Sequence, residues 1–360
     1  MTRWHPGFAL LLAVVMVGCG ATRQDPTAEK TKGGGADDTS AAGAVAAKRA
    51  TANVPERNVP PPKIYTLQEM PRVNTHVHVG KVEQMARLIE TMDQAHVTIS
   101  INVSGDREMV QQAKDIQEKW KGRILIAPGS YKTKDKLWWS MEDLDSFAKA
   151  GCAGLKIHCH YERGINSEEN MAKIRRQGAL GLPVLGFHIA DPPEGRYLKP
   201  DRQACIDDAM TVIEACPKTT FIMAHGFWLM NNDQDLDTLA GYFDRNPNLY
   251  VELSAVDQWW DRPNPTPEKL RAFVLRYQDR LMYGTDGSPS YSTKQHFENS
   301  YRVLETADEL KEGFFPGEKD RQTIKGLGLP LETLNRIYWW NAARTIPRVR
   351  EVLRDLGYAV

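Results

Sequence analysis

The chain has 360 residues, 46 of them basic and 46 acidic, so no net charge draws it to nucleic acid or to an anionic membrane surface. Its hydrophobic share of 41% is that of an ordinary globular protein and excludes a chain too polar to bury a core. Five cysteines occur, none with the C-x-x-C spacing that marks a zinc pair.

Residues 8–18 form an apolar run too short to cross a bilayer as a helix. Cys19 follows at once, and a hydrophobic run closing on small residues and a Cys resembles the bacterial lipoprotein signal. Residues 1–19 are therefore expected to be a signal peptide with Cys19 as the lipidated residue. That address would export the protein and anchor it to a bacterial membrane, on its periplasmic or outer face. An ordinary signal peptide cleaved nearby is the plainer alternative. Residues 20–62 are rich in Gly, Ala, Thr and charge and nearly free of large apolar side chains. They cannot bury enough surface to offset their ordering entropy, so a disordered tether is expected, stiffened at its end by Pro60, Pro61 and Pro62.

From there the chain alternates β-rich runs with amphipathic stretches. The runs fall at 72–78, 97–103, 124–130, 154–158, 183–188, 220–224, 249–253 and 281–284. Met85, Leu88, Ile89 and Met92 recur at helical spacing after the first run. Ala204, Ile206, Ala209, Met210, Val212 and Ile213 form a second apolar helix face. Cys205 and Cys216 lie about three turns apart on that helix, too far to bridge, and with Cys152 and Cys159 they read as buried apolar side chains. Eight strand–helix units in this length, with no Gly-rich phosphate loop, predict a closed (β/α)8 TIM barrel over residues 63–360, carrying a C-terminal helical extension.

The chemistry-bearing residues stand at the ends of the predicted strands. The first run ends in Asn74-Thr75-His76-Val77-His78, and alternation along a strand points His76 and His78 the same way. His188 ends the fifth run, His225 the sixth, and Asp286 follows the eighth. At the C-terminal face of a barrel such side chains converge, and histidines with a carboxylate suit a divalent transition metal with an open coordination position. Lys156 and His158 alternate on the fourth run and share a face. Glu252 ends the seventh run, where its plain role is a hydrogen-bond partner behind the site, and Ser254 beside it reads as structural. Trp138, Trp139, Trp228, Trp259, Trp260 and Tyr291 crowd the loops after the strands, which favours a ring-bearing or apolar substrate.

The blocks NTHVHVG, AGLKIHCH, PVLGFHIADP, FIMAHG, NLYVELS and LMYGTDGSP, with NAAR at 341–344, resemble in order and spacing the amidohydrolase superfamily, in its amidohydrolase 2 branch of TIM-barrel hydrolases and decarboxylases. The resemblance covers about residues 70–347. It implies His76, His78, His188 and Asp286 as metal ligands, with His225 as the catalytic acid/base or the oxyanion-orienting group and Asp286 also able to take the proton of the attacking water. It implies one divalent transition metal, zinc first, with Mn, Fe or Co as alternatives. Lys156 and His158 would touch substrate, or Lys156 would bridge a second metal. The family usually has Asp where this chain has Asn74, a residue expected to lie behind the metal.

A metal-dependent hydrolase follows as the leading expectation, with metal-activated water attacking an ester, lactone or amide-like bond of a small molecule. A non-oxidative decarboxylase of an aromatic or unsaturated carboxylic acid is the alternative, and a non-catalytic binding lipoprotein on a degenerate barrel a further one. The expected partners are a small-molecule substrate and a membrane reached only through the lipid, not nucleic acid. Stable anchoring takes more than one acyl chain, and all of them depend on Cys19. Cys19→Ser should therefore leave the protein unprocessed or release it to the soluble fraction, and unchanged membrane fractionation would rule out the lipoprotein assignment.

Overall fold

The computed structural model describes residues 59–129, 139–158, 165–189, 202–254, 265–290, 294–310 and 324–360. All lie within one compact unit, Arg49–Val360. Cys19 and residues 20–58 of the expected tether fall outside the described residues. Among those described, no helix is long and apolar enough to cross a membrane.

Parallel strands β1 (Val73–Val77), β2 (Ile99–Gly105) and β3 (Ile124–Pro128) pair in that order. Strands β4 (Val184–Phe187), β5 (Phe221–Met223), β6 (Leu249–Glu252) and β7 (Leu281–Met282) form a second parallel run, again in chain order. Two seams join them into a (β/α)8 barrel. Residues 154–158 lie between β3 and β4 through the parallel bridges Gly129–Lys156, Leu155–Val184 and His158–His188. On the other side Val77 bridges Gly287, and the backbone N–H groups of Thr75 and His78 donate to the carbonyls of Tyr283 (3.0 Å) and Gly287 (2.7 Å).

The fourth predicted strand is thus a set of single bridges rather than a regular ladder, and its surroundings explain why. A Cβ at Gly154 would meet the Pro183 carbonyl, so the segment runs closer to its neighbour than a side chain permits. Gly186 sits at φ +60, where β4 shifts register, a backbone conformation that favours glycine, and the Lys156 side chain packs beside it.

Helices cover the barrel, so its strands are buried on both faces and read as nearly continuous apolar runs. Helix α1 (Met85–Gln94) buries Met85, Leu88 and Met92, with Ile89 half-buried beside them. Between α1 and the next long helix lie α2 (Arg107–Gln111), α3 (Ala113–Lys119) and α4 (Met141–Lys149). Helix α5 (Glu168–Ala179) precedes β4, and α6 (Arg202–Ala215) precedes β5. On α6 the buried face departs from the sequence expectation at Ala204, which is exposed. Cys205 and Cys216 are buried as expected, and the stripe runs Cys205, Ile206, Ala209, Met210, Val212, Ile213 and on to Cys216. Cys152 is buried as well. Helices α7 (Asp233–Arg245), α8 (Pro267–Arg276) and α9 (Lys294–Glu305) complete the outer ring.

Beyond a short antiparallel pair, β8 (Glu309–Leu310) and β9 (Ile324–Lys325), the expected C-terminal extension runs as α10 (Leu331–Asn335), a π turn (Arg336–Trp340), α11 (Asn341–Thr345) and α12 (Pro347–Asp355). The chain entering the barrel docks on it. The Val59 carbonyl accepts from Arg336 Nη1 (3.1 Å) and Trp340 Nε1 (2.8 Å), and Pro61 is buried. Asn335 clamps Tyr65: its Oδ1 accepts the Tyr65 N–H (2.9 Å) and Trp339 Nε1–H (3.0 Å), while its Nδ2 donates to the Tyr65 carbonyl (3.0 Å). Removing that amide strands several buried polar groups, each worth about 1–3 kcal/mol. Asn335→Ala should lower unfolding free energy by roughly 3 kcal/mol, read as an earlier denaturant midpoint, and a change under about 0.5 kcal/mol would show the clamp to be incidental.

Candidate metal centre

Alternation along β1 brings the His76 and His78 rings side by side, with Nε2 3.1 Å from Nε2. Each Nδ1 is engaged on the far side. His76 Nδ1 meets Glu252 Oε1 at 2.8 Å, and His78 Nδ1 meets Ser104 Oγ at 2.5 Å. An Nδ1–H donated outward leaves a lone pair on Nε2, so both imidazoles turn basic nitrogens toward one point. Asp286 Oδ1 reaches the same point, 2.9 Å from His78 Nε2 and 3.3 Å from His76 Nε2. Lys156 Nζ lies 2.9 Å from His76 Nε2 and 3.4 Å from that of His78.

The loop after β7 is held so that Asp286 can do this. Asp286 adopts φ +53, and its N–H donates to the His76 carbonyl at 3.0 Å. Asn74 stands behind: its Oδ1 accepts the N–H of Thr285 (3.1 Å) and of His76 (3.2 Å), and its Nδ2 donates to Thr285 Oγ1 (2.8 Å). Asn74 thus braces the ligands without touching the point they share.

Glu252 is the hub on the inner side. Its Oε1 takes His76 Nδ1, the N–H of His225 (3.0 Å) and Ser254 Oγ (2.7 Å), and its Oε2 takes the N–H of Ser254 (2.6 Å). A Cβ at Gly284 would collide with that carboxylate, which explains the glycine before Thr285. His225 lies on a turn in which four consecutive residues, His225 to Trp228, have positive φ. Its ring stacks on His76 with centroids 5.1 Å apart, its Nδ1 meets Ser254 Oγ at 2.8 Å, and its Nε2 lies 4.0 Å from Asp286 Oδ2.

Charge is distributed to match. Burial, then the Lys156 ammonium, pushes His76 down to about 3, and the same causes lower His78, so both rings are neutral. Burial brings Lys156 down to about 8 against the pull of Asp286 and Glu252. Burial would raise Glu252, but His76, His225 and Ser254 outweigh it and hold the carboxyl at about 2. Asp286 likewise overcomes its burial through His225, His76 and His78 and lies well below the usual carboxylate range. His76 is fully buried, whereas the side chains of His78 and Asp286 are 29% and 31% exposed, so the cluster opens on their side.

The donors of His76, His78 and Asp286 lie within 4.8 Å of one another. The Lys156 ammonium stands close to both imidazole lone pairs and relieves their repulsion, and two neutral nitrogens with one carboxylate form a donor set for a divalent transition ion. The residues present therefore fit a metal. Of the remaining expected residues, Lys156 is drawn into the centre. His188 stands one ring further out, edge-on to His225 with centroids 4.8 Å apart, and beside His158 at 5.0 Å. Trp228 lies 5.2 Å from His225 and 6.3 Å from His188, ring to ring, while Trp139 packs into the core against Phe147. Trp138, Cys159, Trp259, Trp260 and Tyr291 fall outside the described residues. Ser104 is a partner that the sequence reading missed. A weak signal was the alternation of the polar residues Ser100, Asn102 and Ser104 along β2.

A family model described as amidohydrolase matches residues 134–348. The match includes Lys156, His188, His225, Glu252 and Asp286 but stops short of His76 and His78, whose assignment rests on the geometry. No curated protein matches. Among solved structures, an uncharacterized TIM-barrel protein from Bordetella bronchiseptica is similar at a TM-score of 0.51 and 11% identity, over 78% of this chain and 100% of that one. A probable 2-pyrone-4,6-dicarboxylic acid hydrolase from Acinetobacter baumannii gives 0.43 and 12%, over 60% and 84%. A 2,6-dihydroxybenzoate decarboxylase gives 0.45 and 11%, over 79% and 99%. The first of these likenesses supports the barrel fold.

The Glu252 carboxylate orients His76 and makes its Nε2 a better donor, and partners of this kind are worth about 10–100-fold in metal affinity. Glu252→Gln replaces an acceptor oxygen with an N–H₂ facing donors. Chelator competition should show metal affinity falling by about 10–100-fold with the fold retained by circular dichroism, and unchanged affinity would remove Glu252 from the site.

Proposed function

The chain belongs to the amidohydrolase family, and from that premise we propose that it is a metal-dependent hydrolase of a small molecule bearing an ester, lactone or amide-like bond. The observation that carries the reading is the pair of Nε2 atoms 3.1 Å apart, each ring braced through Nδ1, with Asp286 Oδ1 in reach of both. His76, His78 and Asp286 would hold the metal, zinc first among the ions this donor set suits, and His188 would complete the set. A divalent ion bound there supplies Lewis acidity: it polarises the scissile carbonyl and makes water acidic enough to ionise near neutral pH.

The protein's own groups do the rest. Substrate enters on the open side of His78 and Asp286. Trp228, half-buried beside His225, offers it an apolar wall. Asp286 takes the proton of the attacking water. His225 Nε2, 4.0 Å from Asp286 Oδ2, accepts it and delivers it to the leaving group. Lys156 lies close enough to His76 and His78 to stabilise negative charge developing at the metal-side oxygen. The apolar run at 8–18 and Cys19 support export of this enzyme and its attachment to a membrane by lipid.

Elemental analysis beside a screen of esters, lactones and aromatic carboxylic acids tests the proposal. His76→Ala and Asp286→Ala should each lose metal and activity together. His225→Asn should keep metal and lose turnover by roughly 10²–10⁴-fold. Full metal and full activity in both ligand variants would end the case for a metalloenzyme, and release of carbon dioxide from an acid would make the chain a carboxy-lyase.

A further inference from the structure

The hydrogens around Glu252 can be assigned one by one. A carboxylate only accepts, so each of its four partners must give it a hydrogen. Ser254 has a single hydroxyl hydrogen, and at 2.7 Å from Glu252 Oε1 that hydrogen is spent there. The same Oγ stands 2.8 Å from His225 Nδ1, and with its hydrogen committed it can only accept. His225 Nδ1 therefore carries a hydrogen, and in the neutral ring this arrangement leaves the lone pair on Nε2. The reverse allocation would leave Ser254 Oγ and Glu252 Oε1 as two acceptors 2.7 Å apart with no hydrogen between them. Ser254 is 1% exposed, so water has no room to relieve that clash.

We infer that Ser254 is a positioning residue: it fixes the tautomer of His225, so that His225 enters turnover as a proton acceptor through Nε2. The inference rests on the reading of His225 as the proton-transfer group. It adds that Ser254 links His225 to the carboxylate that also orients His76. When His225 takes a proton, the imidazolium donates through Nδ1 to Ser254, which donates on to Glu252, so the new positive charge faces a fixed negative one across a single hydroxyl. Two hydrogen bonds hold Ser254 in this role: its own N–H is tied to Glu252 Oε2 at 2.6 Å, and the N–H of His225 is tied to Oε1 at 3.0 Å. Gly284 packs so close beside it that a Cβ there would press on the Ser254 Cβ.

The test is the tautomer itself, read by two-bond ¹H–¹⁵N correlation on ¹⁵N-histidine-labelled full chain without added metal or substrate. The His225 signals are assigned by their loss in His225→Gln. The wild type should show the Nδ1–H pattern at His225, and Ser254→Ala should shift it toward Nε2–H. In the metal-loaded enzyme Ser254→Ala should lower kcat by about tenfold to a hundredfold, with KM within about twofold and metal content unchanged, and Ser254→Thr should restore the Nδ1–H pattern and most of kcat. An Nε2–H form in the wild type would overturn the inference, as would Ser254→Ala retaining Nδ1–H. The wild-type spectrum decides even where the alanine variant does not fold. Because it needs neither metal nor substrate, it separates failure of this inference from failure of the hydrolase reading.

Discussion

Glu252 is a carboxylate almost out of contact with water, and it stays charged because four protein hydrogens stand in for solvent: those of His76 Nδ1, the His225 N–H, and the hydroxyl and N–H of Ser254. Losing any one of them would leave an acceptor lobe bare in a dry interior. The dependence also runs outward from the carboxylate. It turns the His76 ring so that Nε2 faces His78, it anchors the turn that carries His225, and it demands a glycine at 284. The distances at the mouth of the barrel follow from keeping this one charge solvated from within.

The turn from His225 to Trp228 shows what that anchoring sustains. Three of its four residues are not glycine, and each left-handed L-residue costs roughly 1–2 kcal/mol. The strain persists because the turn is fixed at both ends and in the middle. The Phe227 N–H donates to the Ala224 carbonyl and the Leu229 N–H to that of Gly226, the Phe227 side chain is fully buried, and a Cβ at Gly226 would press on Met230. A relaxed right-handed turn would swing His225 away from Asp286. Backbone strain held by its surroundings beside a reactive cluster is the expected signature of a group whose aim matters.

Much of this was legible in the sequence because barrel chemistry sits at strand ends, where a short motif is also a spatial statement. His76-x-His78 on one strand, His225 after another and Asp286 after the last barrel strand come together as alternation and topology require. The resemblance supplied roles that spacing alone does not. Other features lay beyond the sequence for physical reasons. Ser104 touches His78 across a register set by neighbouring strands, and the polar alternation on its own strand does not say which partner it meets. Residues 154–158 read as a strand by composition, but the tight approach at Gly154 and the register shift at Gly186 break the ladder into single bridges. On α6 only Ala204 was misplaced, because Ala is too small to declare a face. Ser254 looked structural because a serine's role depends on which hydrogens its neighbours need.

The seam between β1 and the loop after β7 closes the barrel, and it joins residues far apart in sequence: Asn74 and Thr285 are separated by 211 positions. His76 and His78 stand on one lip of this seam and Asp286 on the other. A cation gripped by all three is therefore a clasp as well as a reagent, fastening the first stave to the last. In an open chain those ends are far apart, and the ligands would have to be gathered at the entropic cost of a very long loop. The ion should bind the closed barrel far better than the unfolded chain, and so pull the folding equilibrium toward closure. Chelation would then loosen the barrel along this seam first, where its first and last strands meet.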